Sequence, residues 1–582
     1  MNKTKLQQIR EHHEKFRARV EELGEQLRNS ELPVLTEEMF SLYEKTGNRL
    51  IYENEYFERR RFLVVYGLLS SWYKRTEDIE KLEYVIAEIC QETTWALPAH
   101  VDRQTPGWER TVDLFSSETG QTLANILYLN KDVLSKELYD STKELVVDRL
   151  LDSYMEVPRG QWRWEVMYNN WVSVCASCIG SAALFLLDDD KEKQEKIISR
   201  VCDTLPDYLV GMLDDGTCPE GMSYYTYGMV FYTGFARQLK EATGGKVDLL
   251  DSEKVRNIAR FQNICYLPNG NTVSFSDGER KDRYRLGLTC YFAMTVNGAK
   301  IPDISAAMEF DTDHCYRFMG NWQDDVWVRE YLATAKEDDV EEDNETFYFL
   351  PDAQWAVWNK ERIGIAFKGG NNDEPHNHND IGSFLFTADG EVFLADLGCG
   401  EYTKDYFNPD TRYQILCNRS LGHSVPIVNE REQGQGKDHC CEYFKCLKEG
   451  MVELSFSNAY EAGADWKLVR YLQSFGDDEE LLIMDTISGD SVTKFEENLV
   501  TQIKPLITGN QVILNGEHGT MLLELPNECS DIRLIEETFH NHRGKEEDVW
   551  MIRFSIPLTD SKGCCQMLCR YVAKPSNEDT VE

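Results

Sequence analysis

The chain has 582 residues, 42% hydrophobic and 11% aromatic, and a formal charge of −39. That length exceeds one ordinary core and suggests two to four domains. The acidic balance argues against nucleic acid as a partner, because phosphate recognition needs a basic surface. It also disfavours long-range steering of polyanions, although salt screens such fields beyond roughly 10 Å, so a locally basic cleft can still bind a short acidic ligand.

The chain begins "MNKTKLQQIREHHEKFRARVEELG", a charged helix pattern with no apolar leader. No run of about 18 apolar residues occurs, so no membrane span is expected. Seventeen cysteines and no export signal point to reduced thiols and a cytoplasmic setting. Cys175 and Cys178 form a C-x-x-C, but in the apolar stretch "SVCASCIGSAALFLL" they read as packing in a buried helix.

Up to about residue 345 the apolar residues recur at three and four, as in "DIEKLEYVIAEICQET" and "KQEKIISRVCDTLPDYLVGML". Successive helices with short breaks suggest a bundle, a solenoid or a closed toroid, and the lack of a fixed repeat weakens the regular solenoid. Three segments in this part could meet a ligand. "ETTWALPAHVD" is a loop carrying His100. "RGQWRWEVMYNNWVSV" offers Trp162, Trp164 and Trp171 as stacking faces and Asn169 and Asn170 as donors; the plainer reading is a helix start with core tryptophans. "DDGTCPEGMSYYTYGM" opens a helix that puts Tyr224 and Tyr227 on one face and Tyr225 away from it. Such tyrosines are often core, but one in a polar cleft can donate a proton.

The acidic run "AKEDDVEEDNET" (335–346) reads as a linker. Beyond it the period changes to two. "QWAVWNK", "RIGIAFKG", "SFLFTADGEVFLADLG", "MVELSFSNAY", "WKLVRYLQSF", "LLIMDTISG", "QVILNG", "GTMLLELP", "VWMIRFSIPL" and "QMLCRYVAK" read as strands of an antiparallel β-sandwich. The expected domains are therefore 1–345, helical, and 346–582, β.

Two of the eleven histidines, His376 and His378, fall one residue apart in "EPHNHNDIGSF", just before a strand. If the sandwich brings His378 together with Asp396 of "LADLG" and His423 of "NRSLGHSV", the result is a His₂-carboxylate set that suits zinc. The chain has no G-x-S-x-G, H-E-x-x-H, P-loop or helix-opening G-x-G-x-x-G.

Together these segments resemble the heparinase II/III family of polysaccharide lyases. "TWALPAH", "DLFSSETG", "NNW", "DGTCPEGMSYYTYG", "HNHNDIGSF", "LADLGCGEY" and "NRSLGH" follow the family's order, and "TWALPAH" is common among its uncharacterised bacterial members. The resemblance implies an N-terminal (α/α) toroid followed by a C-terminal antiparallel β-sandwich. It implies that His376 faces the active-site cleft, that Asn170 neutralises the substrate carboxylate, and that a tyrosine is the acid. Glu-Gly-x-x-Tyr spacing makes Tyr224 the first choice, with Tyr225 and Tyr227 next. Asn169, Trp171, His100, Glu220, Trp162 and Trp164 would line the cleft. Zinc on His378, Asp396 and His423 would be structural, and no organic cofactor is implied.

The chemistry so implied is β-elimination of a uronic-acid-containing glycan, which requires Asn170, one tyrosine and His376 to line one cleft where the halves meet. The expected partner is a uronate-containing oligosaccharide, with homo-oligomerisation left open and neither nucleic acid nor membrane involved. Which uronate glycan is cut is left open. Two alternatives are a catalytically silent glycan-binding protein and, less favoured, a metal-dependent hydrolase drawing on Asp214, Asp215 and Glu220.

Overall fold

Helices formed by the three-and-four spacing fill the first part of the chain. They are α1 (Lys5–Leu27), α2 (Glu37–Thr46), α3 (Leu50–Tyr73), α4 (Thr76–Cys90), α5 (Leu114–Leu129), α6 (Lys136–Val146) and the short α7 (Ser153–Met155). They continue with α8 (Asn170–Leu186), α9 (Lys191–Gly211), α10 (Met222–Ala242), α11 (Glu253–Cys265), α12 (Leu286–Thr295) and α13 (Phe318–Thr334). This is a computed structural model that describes residues 3–336, 346–475 and 479–575. Among the described residues no helix is long and apolar enough to cross a membrane.

The helical unit comprises residues 1–212, 224–259 and 283–341. Within it α3 packs on α5 and α5 on α8, while α13 returns to α3 and α1. Ser173 Oγ of α8 donates to Gly228 O of α10 (2.7 Å), and Gln323 Nε2 of α13 donates to Val230 O of α10 (2.7 Å). The ring α3–α5–α8–α10–α13 is thereby closed, with α4, α6 and α9 packed on α3, α5 and α8. This is an (α/α) toroid. Its inner helices carry side chains buried on most faces: Cys175 and Cys178 of α8 are fully buried, and burial pushes both thiols well up.

The β unit comprises 213–223, 260–282 and 342–582. The units are thus not the two contiguous halves expected from the sequence, and the expected cut at 345/346 lies outside the described residues, as does most of the acidic run. Apolar and polar anchors hold both earlier stretches in the β unit. The rings of Phe261 and Phe275 lie 6.1 and 5.1 Å from that of Trp355. Asp215 and Asp352 each accept the other's backbone N–H, at 2.9 and 3.0 Å, and Asp215 also takes the Ala353 N–H.

The sheets of this unit are antiparallel. A five-stranded sheet runs Phe347–Leu350, Trp355–Asn359, Ile363–Lys368, Phe384–Ala388, Glu391–Leu394. An eight-stranded sheet runs Leu506–Thr508, Gln511–Asn515, Gly519–Glu524, Lys562–Ala573, Glu480–Ser488, Lys467–Ser474, Met451–Ser455, Tyr443–Lys448. A four-stranded sheet runs Ser530–His540, Glu546–Ser555, Phe495–Thr501, Ile427–Val428. Alternate residues such as Ile365, Phe367, Phe386, Leu454, Leu468, Ile483, Leu499 and Phe554 share one core, which is the β-sandwich.

Phe495–Thr501 is buried along its whole length although it reads FEENLVT, and the period-two reading passed over it. Its acids are matched inside. Glu497 and Asp485 face Arg470, whose Nε and Nη2 each sit 2.7 Å from an Asp485 oxygen. Burial, then Asp485, pushes Glu497 well above the usual carboxylate range, with Arg470 opposing. Arg470 Nη1 also donates to Gly382 O (2.6 Å) and Ser424 O (2.7 Å), which follow the two histidine segments. A core ion group therefore pins the backbone that carries the candidate site.

The helical unit holds a comparable group. The Tyr227 hydroxyl donates to Glu118, and Arg317 lies over the Tyr227 ring at 4.0 Å with Nε 3.4 Å from Glu118 and Nη1 2.8 Å from Asp313. Burial lifts Glu118 from 4.5 to about 7, with Arg317 opposing. The folded pKa lies above the unfolded one, so native protein holds the extra proton between those values, and stability falls as pH rises through them. Glu118→Gln removes that titration. The stability of wild type relative to Glu118→Gln should fall by about 3 kcal/mol between pH 4.5 and about 8. Denaturant unfolding of both proteins across that range measures it, and a flat difference would reject the assignment.

Candidate active site and metal centre

The segment from Glu374 to Ile381 is a turn before the strand Phe384–Ala388. Asn377 N donates to Glu374 O (3.1 Å), and His376 takes a left-handed φ of 58°, uncommon for a residue with a Cβ. Neighbours clasp the turn. Gln433 exchanges bonds with the Ile381 backbone at 2.7 and 3.0 Å, Ser420 Oγ donates to Asn379 O (2.8 Å), and Asn379 N donates to Asn418 O (3.0 Å). Asp380 takes the buried Lys368 ammonium at 2.7 Å.

The centre of the site is Asp277, in the 260–282 stretch. His376 Nδ1 lies 2.5 Å from its Oδ2, where the Tyr402 hydroxyl also donates (3.0 Å). His378 Nε2 lies 3.1 Å from its Oδ1, which also receives the Tyr406 hydroxyl and Arg412 Nη2 (3.3 Å). Burial alone would raise the Asp277 pKa; the bonds from His376 and His378 outweigh it and hold this carboxyl well below the usual range. Burial lowers His376, but the bond to Asp277 prevails and raises it. His376 is partly exposed, with Nε2 4.0 Å from Glu220 Oε1. Burial pushes Glu220 up, His376 opposing.

His378, Asp396 and His423 come together: all three are buried, with one potential ligand atom from each within 4.8 Å of the others. His423 Nδ1 lies 3.1 Å from Asp396 Oδ2, and its Nε2 lies 2.9 Å from Cys417 O. Asn498 Nδ2 donates to His423 O (2.9 Å), fixing this residue to the buried strand. His378 Nδ1 is buried with no hydrogen-bond partner. His423 thus has one ring nitrogen on a backbone oxygen and the other on Asp396, while His378 has one on Asp277 and leaves the other unpaired, an arrangement compatible with metal-ligating imidazoles. A buried ring nitrogen without a partner is costly, and a cation would satisfy it. The donor set fits zinc.

The other expected residues belong to the helical unit. Asn169 caps α8, its side chain accepting the Trp171 N–H (3.2 Å), and Asn170 is the first helical residue. The rings of His100 and Trp171 are 4.9 Å apart, and His100 Nδ1 is held 2.7 Å from Asp113, the cap of α5. Trp162 is partly exposed. Trp164 is not a ligand platform: it is buried, stacks on Tyr154 and donates to Val112 O (2.9 Å). Tyr225 is likewise buried, its hydroxyl donating to Ile258 O (2.8 Å). That bond removes it from the list of acids, because its proton is already committed in the core. Tyr227 is tied to Glu118, and Tyr224 is partly exposed. The Asp215–Asp352 clasp occupies one of the acids a hydrolase would need.

Sequence reasoning missed Asp277, Tyr402, Tyr406 and Arg412. "SDGE" around Asp277 carried only turn signals, inside a stretch that otherwise reads as helical. The tyrosines and Arg412 lie in the irregular loop that follows "LADLGCG".

Residues 342–559 match the family described as Heparinase II/III-like, C-terminal. No curated protein matches the chain by sequence. Among solved structures, heparinase III is similar over 99% of this chain and 92% of its own, at 13% identity and a TM-score of 0.62. The heparan sulfate lyase HepC from Pedobacter heparinus is similar over 94% of this chain and 84% of its own, at 12% identity and a TM-score of 0.62. The Streptomyces coelicolor A3 chondroitin AC lyase is similar over 98% of this chain and 80% of its own, at 10% identity and a TM-score of 0.53. At these identities the likeness is one of fold. Residues 342–559 are therefore identified as a heparinase II/III-like C-terminal domain.

Proposed function

We propose that the protein is a polysaccharide lyase that cleaves a uronic-acid-containing oligosaccharide by β-elimination. The observation that carries this reading is the dyad of His376 and the buried Asp277, which turns a partly exposed imidazole into an oriented base. The chain's likeness in fold to a heparan sulfate lyase and a chondroitin AC lyase supports it.

In the proposed reaction Asn170, at the positive end of the 17-residue α8, neutralises the substrate carboxylate. His376 Nε2 takes the proton from the carbon beside that carboxylate. The electron pair forms a carbon–carbon double bond as the bond to the 4-oxygen breaks, and a tyrosine hydroxyl protonates the departing oxygen. No water is consumed. Tyr224 is the acid in this reading, from the Glu-Gly-x-x-Tyr spacing and its partial exposure. His100 and Trp171 supply a ring surface for a sugar.

His378, Asp396 and His423 would hold zinc in a structural role, joining the His376 turn to the loop bearing His423. The seventeen free cysteines suit a reducing, cytoplasmic setting, which belongs to the same proposal.

Purified protein should contain zinc at about one ion per chain, and His423→Ala should lose it. Elemental analysis decides this, and metal-free wild type would leave the cluster as hydrogen bonding alone. Uronate oligosaccharides should yield the ultraviolet absorbance of an unsaturated uronide. On a cleaved substrate, Tyr224→Phe should lower turnover on the order of a hundredfold with KM little changed. Full turnover in Tyr224→Phe would remove it as the acid. Tight binding without absorbance across the panel would favour the silent glycan-binding protein.

A further inference from the structure

We propose that Asp277 is the positioning residue for both imidazoles, fixing His376 as the Nδ1–H tautomer and His378 as the Nε2–H tautomer. The inference builds on the lyase and zinc readings above, and it explains how one side chain can serve both.

An ionised carboxylate only accepts, so every group bonded to it must donate. Asp277 Oδ2 faces His376 Nδ1 and the Tyr402 hydroxyl; Oδ1 faces His378 Nε2, the Tyr406 hydroxyl and Arg412. Both imidazole nitrogens on Asp277 must therefore carry hydrogen. In a neutral ring the other nitrogen then carries the lone pair. For His376 that is Nε2, the nitrogen a base needs. For His378 it is Nδ1, a buried atom without a hydrogen-bond partner, on a residue grouped with Asp396 and His423. One carboxylate thus turns one lone pair towards proton abstraction and the other towards a cation.

An amide in the same place cannot do both. Asn has one accepting and one donating end, so one of the two histidines would face an N–H and have to reverse its tautomer. Reversal at His376 puts hydrogen on Nε2 and removes the base. Reversal at His378 puts hydrogen on Nδ1 and blocks the metal.

Neutron diffraction of wild-type crystals, grown above the range where imidazoles protonate, reads the tautomers without any variant. Deuterium is expected on His376 Nδ1 and His378 Nε2. Deuterium on His376 Nε2 alone, or on His378 Nδ1, would overturn the proposal. Asp277→Asn, checked for folding by circular dichroism, is then titrated with Zn²⁺ and assayed on a cleaved oligosaccharide. Either zinc affinity should fall at least about tenfold, or kcat should fall by a similar or larger factor with KM nearly unchanged. A folded variant that keeps both within about twofold would also overturn the proposal. If Asp277→Asn does not fold, the wild-type neutron map decides. Proton positions and zinc affinity need no substrate, so a failure of the lyase reading leaves this test intact.

Discussion

One buried carboxylate organises the site. Taking an isolated carboxylate out of water costs several kcal/mol even after relaxation. Asp277 is tolerated because five side chains converge on it from the 376–378 turn and the 402–412 loop. The exchange runs both ways. The carboxylate needs the donors, and an irregular loop with little regular hydrogen bonding gains a fixed point to fold around. The turn that presents Asp277 is fixed as tightly. Cys399 N donates to Gly278 O (3.0 Å), and Ser274 Oγ donates to Asp396 O (3.2 Å). Gly398, at φ 65°, has no room for a Cβ against Gly278 O, and a Cβ on Gly221 would come within 3.1 Å of Gly278. Glycine is required where these backbones meet.

This constraint explains why the helical sequence contributes to the β unit. The stretches 213–223 and 260–282 leave the toroid and bring Glu220 and Asp277 to the histidines. The sandwich supplies the rest of the frame. Arg470 ties the carbonyls of Gly382 and Ser424 to the core, and Asn498 holds His423. A base on a flexible turn would be poorly aimed; here both neighbouring segments are bonded to a close-packed interior.

The helical and strand periods made both architectures legible, and the His376–Asp380 segment with Asp396 and His423 was legible as a motif. What stayed hidden has physical causes. Glu496, Glu497 and Asn498 disguised a buried strand, because matched charges inside a core look like a solvated edge in one dimension. Asp277 was hidden because a turn aspartate is usually solvated, and only the fold places five donors around this one. Trp164 and Tyr225 were over-read for the opposite reason: an aromatic in a polar-looking segment can still point inwards. Spacing ranked Tyr224 first of three tyrosines; the bonds of Tyr225 to Ile258 O and of Tyr227 to Glu118 are what spacing does not encode.

The central claim is elimination rather than hydrolysis, and the origin of the oxygen in the products tests it most directly. A cleaved oligosaccharide would be digested in water enriched in heavy oxygen and the products weighed by mass spectrometry. The account predicts no heavy oxygen in either product, with product masses that sum to that of the substrate. One heavy oxygen incorporated at each cleavage would contradict it.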